Sequence, residues 1–171
     1  MNRRCFRFGC YYPVVVTFVL AAVIVSGWPA VAPAAEGPIA VVQETADAVV
    51  AVLSDKSLSV EQRRQKVESI VYAHFDFETL SRLVLARNWK ELTPDQQKVF
   101  VEEFKRHLSV TYGKNVETYN NERAVVIGDR AEGRDDWTVK TKVIRPNAAD
   151  VLADYRLRKE DGTWRVIDVI I

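Results

Sequence analysis

Near Tyr119 the apolar residues of this chain change their spacing, and that change constrains its fold more than any other feature. Before Tyr119 they recur every three to four positions, the spacing of a helix face; after it they alternate at every second position, the spacing of a strand. Helices followed by consecutive strands predict an α+β fold. Its N-terminal helices pack on one face of a twisted, mainly antiparallel four-stranded sheet, in a cone-like arrangement with an apolar cavity.

Four helices are expected. Ile39, Val42, Ala46, Val49 and Leu53 mark the first, from Pro38 to Leu53, closed by "SDKSLS". Ser59 and Gln62 form a capping box for the second, which continues through Val60, Val67, Ile70 and Val71 to about Ala73. The third runs roughly from Phe77 to Asn88. "TPDQQ" starts the fourth, with Thr93 at the N-cap, Pro94 at the first helical position, Asp95 in the positive first turn and Gln96 completing a capping box. Phe100, Phe104 and Leu108 then stack at i, i+4 and i+8, and this helix should reach about Tyr112.

In the second half "VVIGD" reads as a short strand, and Trp137, Val139, Thr141 and Val143 alternate with Thr138, Lys140, Lys142 and Ile144. Two further strands flank Asp161-Gly162. A uniform two-residue hairpin there would set Leu157 opposite Val166, Tyr155 opposite Asp168 and Ala153 opposite Ile170 on one apolar side. Its other side would pair Arg158 with Arg165, Arg156 with Ile167 and Asp154 with Val169. The last strand, "TWRVIDVII", is apolar at both parities, so both of its faces need cover.

The first 34 residues read as a targeting segment. Arg3, Arg4 and Arg7 precede an apolar stretch from Val14 to Val25, and Ala32 and Ala34 give the small-residue spacing that a signal peptidase recognises. That stretch is short for a membrane span and is followed by Pro29 and Pro33. Cleavage after Ala34 would remove both cysteines, Cys5 and Cys10. Export without disulfides fits a bacterial periplasm. The remaining 35–171 segment would carry 21 basic against 23 acidic residues, a net charge of −2, which offers no electrostatic case for nucleic acid.

Chemistry-bearing patterns are sparse. His74 and His107 are the only histidines and have no partner at ligand spacing, so no metal site or cofactor is expected. G-x-S-x-G, the P-loop and G-x-G-x-x-G are all absent. Asp135-Asp136 follows Gly133 and reads as a solvated loop. Asp168 is the one acid placed on an apolar sheet face, where a small cone-shaped isomerase or hydratase would hold a general base; no second catalytic group accompanies it, and no catalytic residue is assigned. What remains is spare apolar surface. Phe100, Phe104 and Leu108 on the fourth helix, with Val139, Val143, Tyr155, Leu157, Trp164, Val166 and Ile170 on the sheet, are the residues expected to line a cavity for an apolar ligand.

The segment "FDFETLSRLVLARNWKELTPDQQKVFVEEFKRHLSVTYGKNVETY", continued by "TKV" and "DYRLRKEDGTWRVIDV", resembles the periplasmic phospholipid-binding proteins of the MlaC type, also called the toluene-tolerance auxiliary family. The likeness spans about Val41 to Ile171. It is carried by an ordered set: Asp76-Phe77, Leu85, Trp89, Thr93-x-x-Gln96, Phe100, Phe104, Leu108, Tyr112, Tyr155, Trp164 and Asp168-Val169. The resemblance implies a non-enzymatic carrier of diacyl phospholipid that moves lipid between an outer-membrane lipoprotein/porin complex and an inner-membrane ABC transporter with an MCE-domain subunit, maintaining outer-membrane lipid asymmetry. A hopanoid-associated branch of the same family is the nearest alternative. Two departures stand out. Ala86 replaces the usual glycine after the leucine of the third helix, a small change expected to cost little. The family's usual continuation past the Asp-Val strand is missing after Ile171, so the lipid-binding domain is expected to lack its C-terminal segment.

Overall fold

The computed structural model describes residues 37–133 and 135–171. The expected targeting segment 1–34, with Cys5 and Cys10, lies outside the described residues. Four α-helices come first: α1 (Pro38–Ser54), α2 (Val60–His74), α3 (Phe77–Leu85) and α4 (Pro94–Glu117), with a 3-10 helix, Ala86–Glu91, between the last two. Four strands follow: β1 (Arg123–Gly133), β2 (Asp136–Ile144), β3 (Val151–Glu160) and β4 (Thr163–Ile170). They pair antiparallel in chain order as a meander. This is the α+β arrangement that the change of period implies.

Local chemistry starts each helix where the sequence placed it. The Thr93 hydroxyl accepts from Gln96 N–H at 3.3 Å while Gln96 Oε1 accepts from Thr93 N–H at 2.8 Å, and Ser59 with Gln62 forms the same reciprocal pair. Asp76 caps α3 by accepting from Thr79 N–H at 3.0 Å. The third helix is shorter than expected. It stops at Leu85 because Ala86 turns to φ 48° and ψ −120°, the first central position of a type II′ turn, which favours glycine. Ala86 is therefore not the inexpensive replacement that its size alone indicated. α4 runs past Tyr112 to Glu117.

The helices cover one face of the sheet: α1 lies against β1 and β2, α2 and α3 approach β4, and α4 packs on α2 and α3. On the covered face the β2–β3 register sets Trp137 beside Leu157, Val139 beside Tyr155, Thr141 beside Ala153 and Val143 beside Val151. Val41 and Val42 of α1 close over Val139, Leu157 and Val166, which are at most 2% exposed. The opposite face is charged, with Lys140 near Asp154 (3.7 Å), Lys142 near Asp150 (3.2 Å) and Arg158 forked onto Asp136 (2.6 and 2.9 Å).

The β3–β4 hairpin departs from a uniform ladder. Leu157 faces Val166 as expected, but the register shifts there, so that Tyr155 meets Val169 and Arg156 meets Asp168. Ile167 is the extra residue of a β-bulge and is 2% exposed. Asp168 consequently leaves the position opposite Tyr155, and Ile170 pairs with Asp154 of the charged face. The outer edge of β4 is engaged at Val166, where Phe75 forms a parallel bridge and Asp76 N–H donates to Val166 C=O at 2.9 Å. That contact closes part of the strand's free edge, while α2 and α3 approach one of its faces.

Candidate functional site

Two adjoining cavities lie between the helices and the sheet. The larger, about 540 Å³, is bounded by α1, α2, the end of α4 and all four strands, with Val42, Val49, Leu53, Val143, Val151 and Val166 among its lining residues. The smaller, about 410 Å³, lies under α2, α3, α4 and β4 and is lined by Phe77, Leu80, Phe104, Leu108, Val116 and Val169, among others. Val67, Val71, Phe75 and Tyr155 line both. They form a common wall, contributed by one face of α2, its C-terminal connection and the middle of β3.

The sequence builds each part of this site locally. Phe104, Leu108, Tyr112 and Val116 of α4 follow one another at i+4 and all border the smaller cavity, so the helix presents them as one stripe. The β-bulge at Ile167 lets Val166 line the larger cavity and Val169 the smaller, although three positions separate them in the chain. Around the smaller cavity, Tyr72 meets Phe77 edge-on at 5.4 Å, and its hydroxyl lies 2.7 Å from the Ser109 hydroxyl, joining α2 to α4. Lys105 Nζ lies over the Tyr72 and Phe77 rings at 5.8 and 5.7 Å.

Polar groups inside are few. Thr141 donates its hydroxyl to Ala153 C=O at 2.9 Å. The Thr45 hydroxyl is buried without a partner among the described residues. Burial pushes the Tyr155 phenol above its ordinary value, so it stays neutral throughout the physiological range. Asp168 borders the smaller cavity, but its ladder partner is Arg156. His74 Nδ1 lies 2.8 Å from Ile70 C=O of its own helix. Among the described residues no group of three or more His, Cys, Asp or Glu side chains is placed to hold a metal ion, and no helix is long and apolar enough to cross a membrane. The walls of both cavities are thus mainly apolar.

Of the residues singled out from sequence, the structure brings Phe104, Leu108, Val143, Tyr155 and Val166 to the cavity walls. Val139 and Leu157 do not reach them; both are fully buried beneath α1 in the solid part of the core. Trp164 lies beside the hairpin turn and meets Trp137 edge-on at 6.4 Å, beyond the cavities. Phe100 stacks on Phe104 at 5.9 Å one turn before the lining begins. Ile170 is 55% exposed on the other side of the sheet. Sequence reasoning missed the contribution of α1 and α2, although the helical spacing of Val42, Ala46, Val49 and Leu53 was the signal that could have found part of it.

Comparison with known proteins gives a consistent picture. Residues 43–171 match the family model described as MlaC protein. The toluene tolerance protein ttg2D of Pseudomonas putida is 28% identical over 157 residues, an alignment covering 87% of this chain and 72% of that protein. Among solved structures, the phospholipid-binding protein from Ralstonia solanacearum, determined in complex with a phospholipid, aligns with a TM-score of 0.69 at 28% identity over 78% of this chain and 76% of that one.

Proposed function

The chain belongs to the MlaC family, and from that premise we propose that it is a phospholipid carrier that receives one acyl chain in each of its two cavities. The observation that supports this reading most directly is the common wall of Val67, Val71, Phe75 and Tyr155. A ligand with two apolar arms joined at one end fits two adjoining apolar chambers better than a compact ligand does. Each CH₂ withdrawn from water contributes about 0.8 kcal/mol, so the tails of a phospholipid cannot cross an aqueous space unless a protein encloses them. Both volumes also fall within the roughly 300–1,000 Å³ of ligand-sized pockets.

The Ralstonia relative, solved with a phospholipid, supports a phospholipid over a hopanoid as the cargo. Sparse polar groups in the walls support carriage over catalysis. In this reading the leader directs the protein to the periplasm. There it ferries lipid between an outer-membrane lipoprotein/porin complex and an inner-membrane ABC transporter bearing an MCE-domain subunit, and so maintains outer-membrane lipid asymmetry. Purification under native conditions followed by lipid extraction and mass spectrometry tests the carrier function: diacyl phospholipid is expected at near-stoichiometric amounts, and its absence from protein made in membrane-containing cells refutes the reading.

A further inference from the structure

We propose that Asn115, Arg123 and Arg145, on the rim of the larger cavity, form a headgroup site for a phosphodiester and favour lipids whose headgroup is net anionic. All three border that cavity. Arg123 stands opposite Ile144 in the β1–β2 register and Arg145 follows Ile144, so the two arginines leave neighbouring strands at the same end of the sheet. Arg145 is held in place through Nε, which donates to Ala149 C=O at 2.7 Å, leaving its two Nη groups free to donate. Neither arginine forms an ion pair with another described residue. Glu122 shares the rim, but Oε2 of its carboxylate accepts the Asn120 N–H at 2.6 Å and is bridged to neither arginine.

The rim of the smaller cavity makes the contrast. It also carries two cations, Arg64 and Lys105, yet both are already engaged: Arg64 with Glu61 at 2.8 Å and Lys105 with Glu102 at 2.8 Å. A phosphate arriving there would have to displace a carboxylate. At the larger cavity it would meet guanidinium groups whose planar donors match two phosphate oxygens at once. The charge present on one rim and neutralised on the other therefore orients the lipid, with its phosphate at the β1–β2 end of the sheet.

This inference rests on the carrier reading, and its test separates the two. Delipidated protein is incubated at low ionic strength with vesicles of equal parts phosphatidylglycerol and phosphatidylcholine with identical acyl chains, and the bound lipid is quantified by mass spectrometry. The wild type is expected to take phosphatidylglycerol over phosphatidylcholine by about tenfold, a difference of about 1.4 kcal/mol, with the preference shrinking as salt rises. The double variant R123Q/R145Q should load the same total amount with the preference reduced to about twofold or less, while R106Q, at an exposed arginine of α4 that lines neither cavity, should keep it.

A wild type that loads lipid in the vesicle ratio, or a double variant that keeps the preference, overturns the headgroup site and leaves the carrier standing. A wild type that loads no lipid overturns the carrier reading itself. A loss of preference through unfolding is excluded by comparing melting curves of the delipidated proteins: R123Q, at an exposed residue, should melt with the wild type and already weaken the preference, while R123Q/R145Q, which also loses the hydrogen bond from Arg145 to Ala149, should melt only slightly lower and stay folded at the temperature of the assay. If inorganic phosphate alone raises the melting temperature of the delipidated wild type but not of R123Q/R145Q, the site serves free phosphate and the assignment to a lipid headgroup is wrong.

Discussion

Tyr155 stands opposite Val169 in the β3–β4 ladder, and the pair lines the smaller cavity, with Tyr155 also facing the larger. The phenol is thus the sheet's contribution to the wall between the chambers. Replacing it with alanine should merge them. Removing a large aromatic side chain from a packed site costs about 3 kcal/mol, which a lowered urea midpoint would register. Native mass spectrometry should at the same time show a shift toward bulkier or longer-chained lipid. Unchanged lipid composition in a folded Tyr155→Ala protein would show that Tyr155 does not divide the site.

The same residue gives a pH signature. Burial raises the Tyr155 pKa above its unfolded value of about 10 by disfavouring phenolate. Below pH 10 the phenol is neutral in both states and the fold is unaffected. Above it the unfolded chain releases the proton first, so stability falls as pH rises through the folded-state pKa. Tyr155→Phe should therefore lose less stability than the wild type as pH rises above about 10. Parallel losses in the two proteins would contradict the buried setting.

On α4, Leu108 borders the smaller cavity whereas Phe100, two turns earlier, does not. Leu108→Trp fills that chamber without introducing charge, and overpacking of this kind costs roughly 1–3 kcal/mol. The variant should remain folded with lipid occupancy reduced by half or more, whereas Phe100→Leu should keep full occupancy. Circular dichroism together with phosphate analysis of the extracted lipid decides between them.

The contrast between these two positions shows how far the site was legible in the sequence. Capping at Ser59 and Thr93 was readable because it involves residues three apart whose chemistry is local. The meander was readable because alternation is set by the strand's own geometry. The phase of the α4 stripe was not. Apolar side chains continue at i+4 from Phe100 to Val116, and only the packing of α2 and α3 determines which of them face the cavity. The bulge at Ile167 was equally hidden: it lies beside Val166, whose C=O accepts from Asp76 N–H, 90 residues earlier in the chain, and alternation within the strand carries no trace of such a contact.

Asp168 separates carriage from catalysis. The bulge pairs it with Arg156 and removes it from the position opposite Tyr155, where a general base on the apolar face would stand. Asp168→Asn keeps the shape and removes the charge, so it should change stability by no more than about 0.5 kcal/mol and leave lipid loading intact. Loss of a chemical turnover in that variant, with lipid binding retained, would return the molecule to the enzyme class.

Ala86 offers a test of the turn that ends α3. Its φ of 48° with ψ of −120° belongs to a region that a side chain disfavours, and the residue is exposed, so its methyl group gains no packing in compensation. Holding a non-glycine residue there costs about 1–3 kcal/mol, and glycine offsets part of the relief by about 0.4–1 kcal/mol because its unfolded chain is freer. Ala86→Gly should therefore stabilise the protein by about 1 kcal/mol, or raise Tm by about 4 °C for a domain of this size. Ala86→Val should do the reverse, since a β-branched side chain fits positive φ less well still. Thermal melts of the two variants beside the wild type would settle the matter: if glycine lowers Tm, the backbone at position 86 does not carry the strain, and the shortening of α3 at Leu85 needs another cause.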